Sequence, residues 1–202
     1  METDKKERFR ELILGTERKG IENLYNYLDK ETDFFTAPAS TKYHGNYEGG
    51  LLEHSLIVYE LLHEKSIRLG LDIPQNSIII SALLHDVCKC NFYVKGYRNV
   101  IEGKKLNWKG EEVNNWVRKE VWQVDDNFPI GHGEKSIITI MKFIELTEIE
   151  IMLIRWHMGF TEPKEKYYDL HNALNLFPEI AAIHTADIEA AFLLEKRGDE
   201  LP

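Results

Sequence analysis

Apolar residues recur at three- and four-residue intervals over most of the chain, the spacing of helices that bury one face. Phe9, Leu12 and Ile13 predict a short opening helix, and Ile21, Leu24, Tyr25 and Leu28 a second. From Phe34 to Gly50 the pattern breaks, and Pro38, Ser40, Thr41, Gly45, Asn46 and the Gly49-Gly50 pair read as a loop. A long helix is expected through Leu51, Leu52, Leu56, Ile57, Leu61 and Leu62, ending near Gly70. Pro74 and Asn76 open the next, whose Ile78, Ile79, Ile80, Leu83 and Leu84 demand burial on several faces. The period then changes. Phe92 to Ile101 and Val113 to Val124 are rich in Val, Tyr and Trp, with Gly103 and Gly110 between, and predict a β-hairpin inserted at about 91–124. Helix resumes after Gly131-His132-Gly133 through Ile137, Ile138, Ile140, Met141 and Ile144, and again from about Glu148 to His157. Pro163 to Asn175 reads as a loop, and Pro178 opens a last helix through Asp187 to about Lys196. No repeat, linker or low-complexity stretch interrupts the chain. The expected fold is mainly α, a single domain over residues 1–202 with a small inserted hairpin.

Composition agrees with a packed globule. The 202 residues are 43% hydrophobic and 11% aromatic, enough to exclude disorder as the main state. Apolar runs such as Ile78–Ile80 are far too short to span a bilayer, and the charged first ten residues lack an apolar stretch, so neither membrane nor secretory signal is expected. Cys88 and Cys90, two apart, suit no mutual disulfide, and a reducing cytoplasm is the simple location. A net charge of −9 argues against nonspecific nucleic-acid binding. The charge is uneven, however: Lys89 to Lys119 holds eight cations against three acids. That window is either a solvated mixed-charge hairpin or a basic flap beside a site for an anion.

His85 and Asp86 stand together at the end of the apolar run Ser81-Ala82-Leu83-Leu84. Neighbours on a helix point about 100° apart, so both reach one ion only if it sits at the helix end. The run Glu48-Gly49-Gly50-Leu51-Leu52-Glu53-His54-Ser55, then Ala82-Leu83-Leu84-His85-Asp86-Val87-Cys88-Lys89, then Thr185-Ala186-Asp187 resembles the HD-domain metal-dependent phosphohydrolase superfamily. The resemblance implies an all-helical fold in which His54, His85, Asp86 and Asp187 converge on a divalent cation. His132 and His157, lying between the His-Asp pair and the final Asp, are similar to the two-metal branch, in which Asp86 would bridge both ions; the alternative is a single ion, with His132 capping a helix or contacting substrate. Neutral imidazoles and carboxylates suit Mn, Fe, Co, Ni, Zn or Mg. Such ions activate a water as hydroxide and clamp a phosphoryl group, here that of a nucleotide or short single-stranded nucleic acid.

Other residues are candidates, Lys89 through the same resemblance and the rest by their position. Lys89 is a candidate phosphate contact or proton donor, or an ordinary surface lysine; Cys88 stands where the superfamily usually has Gly. Glu134 is a candidate catalytic acid or base, or simply an acid favoured at a helix N-terminus. Lys42, Tyr43, His44, Asn46 and Tyr47 precede the first ligand helix and are placed to line a pocket; of these Tyr43 and His44 are the substrate candidates. His184 shares a helical face with Asp187 and is a further candidate contact, with a core histidine as the alternative. The hairpin's Arg98, among Tyr93, Tyr97, Trp108, Trp116 and Trp122, would serve a base-bearing anion, or these aromatics simply hold the small sheet onto the helices. His63 and His171 carry no motif, and Cys88 and Cys90 read as incidental. The implied activity is phosphate-ester hydrolysis. A di-iron oxygenase of the same superfamily and a non-catalytic nucleotide sensor remain as alternatives, and a homodimer is an open possibility.

Overall fold

A computed structural model describes residues 2–42 and 44–195. Among them eight α-helices follow in the order α1 (Glu2–Leu14), α2 (Ile21–Lys30), α3 (Gly50–Leu69), α4 (Gln75–Leu84), α5 (His132–Ile140), α6 (Glu148–Trp156), α7 (Tyr167–Leu176) and α8 (Ile180–Glu189). Between α4 and α5 the strands β1 (Tyr93–Leu106) and β2 (Glu112–Val124) form one antiparallel hairpin. The chain is mainly α, as expected. No helix among the described residues is long and apolar enough to cross a membrane.

The apolar spacing becomes packing most plainly in α4. Every residue from Ser77 to Leu84 is buried, and the helix runs against α1, α3 and α6. Ile80, Leu83 and Leu84 are wholly withdrawn from water, worth roughly 1.5–3 kcal/mol for each such side chain. Phe9, Ile13, Leu24, Leu28 and Phe34 extend the same core towards α1 and α2. Local chemistry sets the ends of α3. Gly49 precedes it at φ 79°, and a Cβ on Gly50 would lie 2.0 Å from the Gly45 carbonyl oxygen. Gly70 ends it at φ 63°, with Leu71 N–H bonding the Ser66 carbonyl at 3.0 Å in a Schellman closure.

The hairpin departs from expectation in length. Gly103, at φ 72°, does not make the turn; it lies in β1 at a bulge where the register shifts between Ile101 and Lys104. The turn is Asn107 to Glu111, where Asn107 Oδ1 accepts the N–H groups of Lys109 and Glu111. Beyond the buried Tyr93 the ribbon stands in solvent, and Trp108 is 89% exposed.

Three other boundaries differ. Residues 163–175 are not a loop: a 3-10 turn, Lys164–Lys166, leads into α7, which carries His171 on its exposed side. Leu170 and Ala173 form the buried stripe of α7, too narrow to stand out among its Asp and Asn residues. Helix α5 stops at Ile140, so Ile144 is buried from the following turn. Helix α8 ends at Glu189 and widens into a π-helical turn, Ala190–Leu194; Lys196 lies outside the described residues.

Candidate metal centre

Two helix C-termini and one N-terminus deliver most of the cluster. His85 follows the last residue of α4 and His157 the last of α6. Each folds back on its own helix, its Nδ1–H donating to the carbonyl three residues earlier, Ala82 and Ile154, at 2.7 Å. Those carbonyls would otherwise lack a partner at the helix end. The same bonds fix the tautomer and turn both Nε2 lone pairs outward. Asp86, at φ −106°, steps out of α4 towards them. His132 opens α5 behind Gly131 at φ 105°. His54 comes from the first turns of α3 and Asp187 from α8.

Asp86 lies at the centre with its two oxygens facing different neighbours. Oδ2 is 3.5 Å from His54 Nε2 and 3.4 Å from His85 Nε2, while His54 Nε2 is 3.1 Å from Asp187 Oδ1. Oδ1 is 2.6 Å from His132 Nε2 and 3.6 Å from His157 Nε2. The six residues expected as ligands are thus brought together. His54 and His85 turn Nε2 atoms on each other at 3.2 Å, and His157 Nε2 is buried with no hydrogen-bond partner among the described residues. Donor atoms sharing an ion at about 2.1 Å stand roughly 3.0–3.4 Å apart, close to the spacings among His54, His85, Asp86 and Asp187, whereas the 2.6 Å between Asp86 and His132 is that of a direct hydrogen bond.

Cation-free electrostatics reflect the crowding. Burial opposes ionisation of Asp86, but Lys89 and the imidazoles of His85 and His132 outweigh it and hold the carboxyl well below the usual range. Asp187 is likewise lowered despite burial, chiefly by its bond to His54. Burial opposes the charged form of His54 too, yet Asp187 and Glu195 raise its pKa to about 10. Burial lowers His85 and His132, favouring neutral imidazole. Together these groups favour positive charge within the cluster.

This cluster of His54, the His85-Asp86 pair, His132 and His157 lies largely within a recognised sequence family. A model described as HD domain matches residues 51–164, more than half of the chain. The chain belongs to the HD domain family. One similar protein is the dihydroneopterin 2',3'-cyclic phosphate phosphodiesterase of Methanocaldococcus jannaschii, 38% identical over 63 residues. That stretch covers 29% of this chain and 25% of the relative, so the chain spans about a quarter of the curated relative it matches. No solved structure matches.

Around the HD cluster, the remaining candidates fall in different places. Lys89 sits in the 3-10 turn after Asp86, its Nζ 2.6 Å from Oδ2 and its side chain 12% exposed. Glu134 is taken up by Arg155 at 2.8 Å and Lys166 at 3.0 Å; burial opposes its charge, but these cations keep it a carboxylate. His184 is also occupied. Its Nδ1–H donates to the His157 carbonyl at 2.9 Å and its Nε2 accepts the Phe160 N–H, so it braces the segment after α6 and has no nitrogen left for a substrate. Arg98 is exposed on β1, paired in register with Lys119, and contacts none of the cluster among the described residues. His44 packs tilted against His54 with ring centroids 5.1 Å apart, and burial lowers its pKa to about 4. Tyr43 lies outside the described residues.

Two residues passed over in the sequence touch the cluster. Cys88 is not incidental: its Sγ lies 3.3 Å from His132 Nδ1, and burial holds the thiol up at about 12. Glu195 accepts from His54 Nδ1–H at 2.6 Å. No motif marks either, although Cys88 stands at a position flagged as unusual.

Gly133 lets the two imidazoles on the Oδ1 side meet. A Cβ there would lie 2.4 Å from the Arg155 carbonyl oxygen and 2.8 Å from that of Ile154. Gly133→Ala is expected to push α5 off the end of α6, costing about 1–3 kcal/mol and withdrawing His132 from His157. Denaturant unfolding combined with Mn²⁺ titration checks this; unchanged stability and affinity would show that the contact is slack.

Proposed function

We propose that the chain is a divalent-cation-dependent phosphohydrolase acting on a phosphate ester or diester of a nucleotide or short single-stranded nucleic acid. One observation carries the reading. Each oxygen of the buried Asp86 faces its own pair of imidazole Nε2 atoms, the arrangement of a carboxylate shared by two cations. His54, His85, Asp86 and Asp187 would hold one ion, and Asp86, His132 and His157 the other. A set with four imidazoles favours Mn, Fe, Co, Ni or Zn over Mg. Cations bound there supply water activation and neutralise charge on the phosphoryl oxygens.

The chain's own groups do the rest. His85 and His157 enter with fixed tautomers, because their Nδ1–H groups are committed to backbone carbonyls. Lys89 pairs with Asp86 Oδ2 at 2.6 Å. With cations in place its ammonium is free to meet a phosphoryl oxygen at the rim. The hairpin supports a base-bearing substrate. Tyr97, Trp116 and Trp122 share one face with Lys95 and Arg118, and the two cations lie over Trp122 and Tyr97 at 5.5 and 4.4 Å. The relative from M. jannaschii acts, by its name, on a 2',3'-cyclic phosphate, which makes cyclic phosphodiesters the first substrates to offer.

The test is a product assay in Mn²⁺ without oxygen. It offers 2',3'- and 3',5'-cyclic nucleotides, nucleoside mono- and triphosphates, and short single-stranded RNA and DNA. Ring-opened, dephosphorylated or shortened products from the wild type are expected. Silence across the panel, with cations bound, would overturn the hydrolase reading and direct the next assay to iron with oxygen.

A further inference from the structure

Helix α8 carries more than Asp187. Past Glu189 it widens into the Ala190–Leu194 π turn, closed by Glu195 N–H on the Ala190 carbonyl at 3.0 Å. Such wide turns occur at helix C-termini. This one brings Glu195 back towards α3, eight residues after Asp187, so that one helix supplies carboxylates to both nitrogens of a single imidazole. Asp187 faces His54 Nε2 at 3.1 Å and Glu195 faces Nδ1 at 2.6 Å.

The side chain of Glu195 is completely buried. A carboxylate withdrawn from water costs several kcal/mol unless it is well bonded, so its retention beside His54 calls for a role. The surrounding loop accommodates it closely. Gly45, at φ 54°, has no Cβ; one built there would lie 3.2 Å from Glu195 Oε2 and 2.8 Å from Ala39 Cβ. The carboxylate is held through Oε1 by His54 Nδ1–H, while its Oε2 is buried with no hydrogen-bond partner among the described residues. It also lies beyond residues 51–164, so the family match does not reach it.

We propose that Glu195 is a positioning residue for the candidate cation site: it holds His54 with its proton on Nδ1, aims Nε2 between Asp86 and Asp187, and strengthens that nitrogen as a donor. Carboxylates behind metal-bound imidazoles act in this way, and losing one typically weakens cation affinity about 10–100-fold. The inference rests on the cation reading above.

The test titrates wild type, Glu195→Gln, Glu195→Ala and Asp86→Ala with Co²⁺, following calorimetry and the visible absorption of the bound ion. Glu195→Ala is expected to bind Co²⁺ at least about 10-fold more weakly, with a changed spectrum. Glu195→Gln, whose amide oxygen still accepts from Nδ1–H, is expected between the alanine variant and wild type. Wild-type affinity and spectrum in both folded variants would overturn the proposal. Should the alanine variant not fold, the glutamine variant decides alone: several-fold weaker binding supports the role, and unchanged binding overturns it. Asp86→Ala separates the two levels. If it keeps the wild-type isotherm, the cation site itself is wrong, and the role of Glu195 falls with it.

Discussion

Asp86→Ala is expected to lose bound cations and turnover together. Its two oxygens serve the two halves of the cluster: Oδ2 faces His54, His85 and Lys89, and Oδ1 faces His132 and His157. Removing the carboxylate withdraws the shared anion and leaves the Lys89 ammonium against a cluster of imidazoles, which repels any incoming cation. The expected loss in kcat is on the order of 10³-fold or more, about 4 kcal/mol of barrier. A stability readout needs no substrate. At a hundred times its Kd a cation adds about 2.7 kcal/mol to the folded state. For a chain of this size that is roughly 5–10 °C in Tm. Wild type should show that rise in Mn²⁺ and Asp86→Ala should not. Normal turnover by the variant, or an equal Tm rise, would remove Asp86 from the centre of the site.

The parts of this centre that were legible in the sequence depend on residue type and helix ends. His85-Asp86 reads as a helix-end pair because the apolar run stops there, and the structure places Asp86 beyond the last turn of α4. Glu195 was illegible for a conformational reason. It reaches His54 only because α8 changes from α to π geometry, and no periodicity of side chains marks that change. His184 shows the converse. Three residues before Asp187, it shares a helical face with it, but spacing does not say whether a ring meets the cluster or the neighbouring chain, and this ring bonds the backbone of His157 and Phe160. Glu134 reads as a helix-start acid, and only the fold brings Arg155 and Lys166 to it. Helix α7 was missed because burial of Leu170 and Ala173 outweighs a polar sequence.

The largest stability loss is expected away from the site, at Glu150. Its fully buried carboxylate accepts from Arg18 through both guanidinium nitrogens, at 2.7 and 3.1 Å, from the Ser77 hydroxyl at 2.8 Å and from Thr147 N–H at 2.8 Å. With Thr147 it forms the capping box that starts α6; with Ser77 it ties that start to the first turn of α4; with Arg18 it reaches the turn between α1 and α2. Glu150→Ala removes the side-chain half of the capping box, leaving Thr147 Oγ1 to accept the backbone N–H of residue 150, and strands a guanidinium that keeps its bond to the Glu145 carbonyl. Breaking a buried pair from one side costs about 3–5 kcal/mol. The Arg18 side chain is 22% exposed, so water recovers part of its solvation and the lower end, about 3 kcal/mol, is expected. That corresponds to roughly 6–12 °C in Tm, measured alongside denaturant unfolding. The bonds anchor α6 at its N-terminus, and His157 leaves from the other end under its own bond to Ile154. Co²⁺ affinity of the folded variant should therefore stay within about twofold of wild type. A loss below about 1 kcal/mol would show that the junction is redundant, and a matching loss of cation affinity would show that α6 transmits strain along its length to the site.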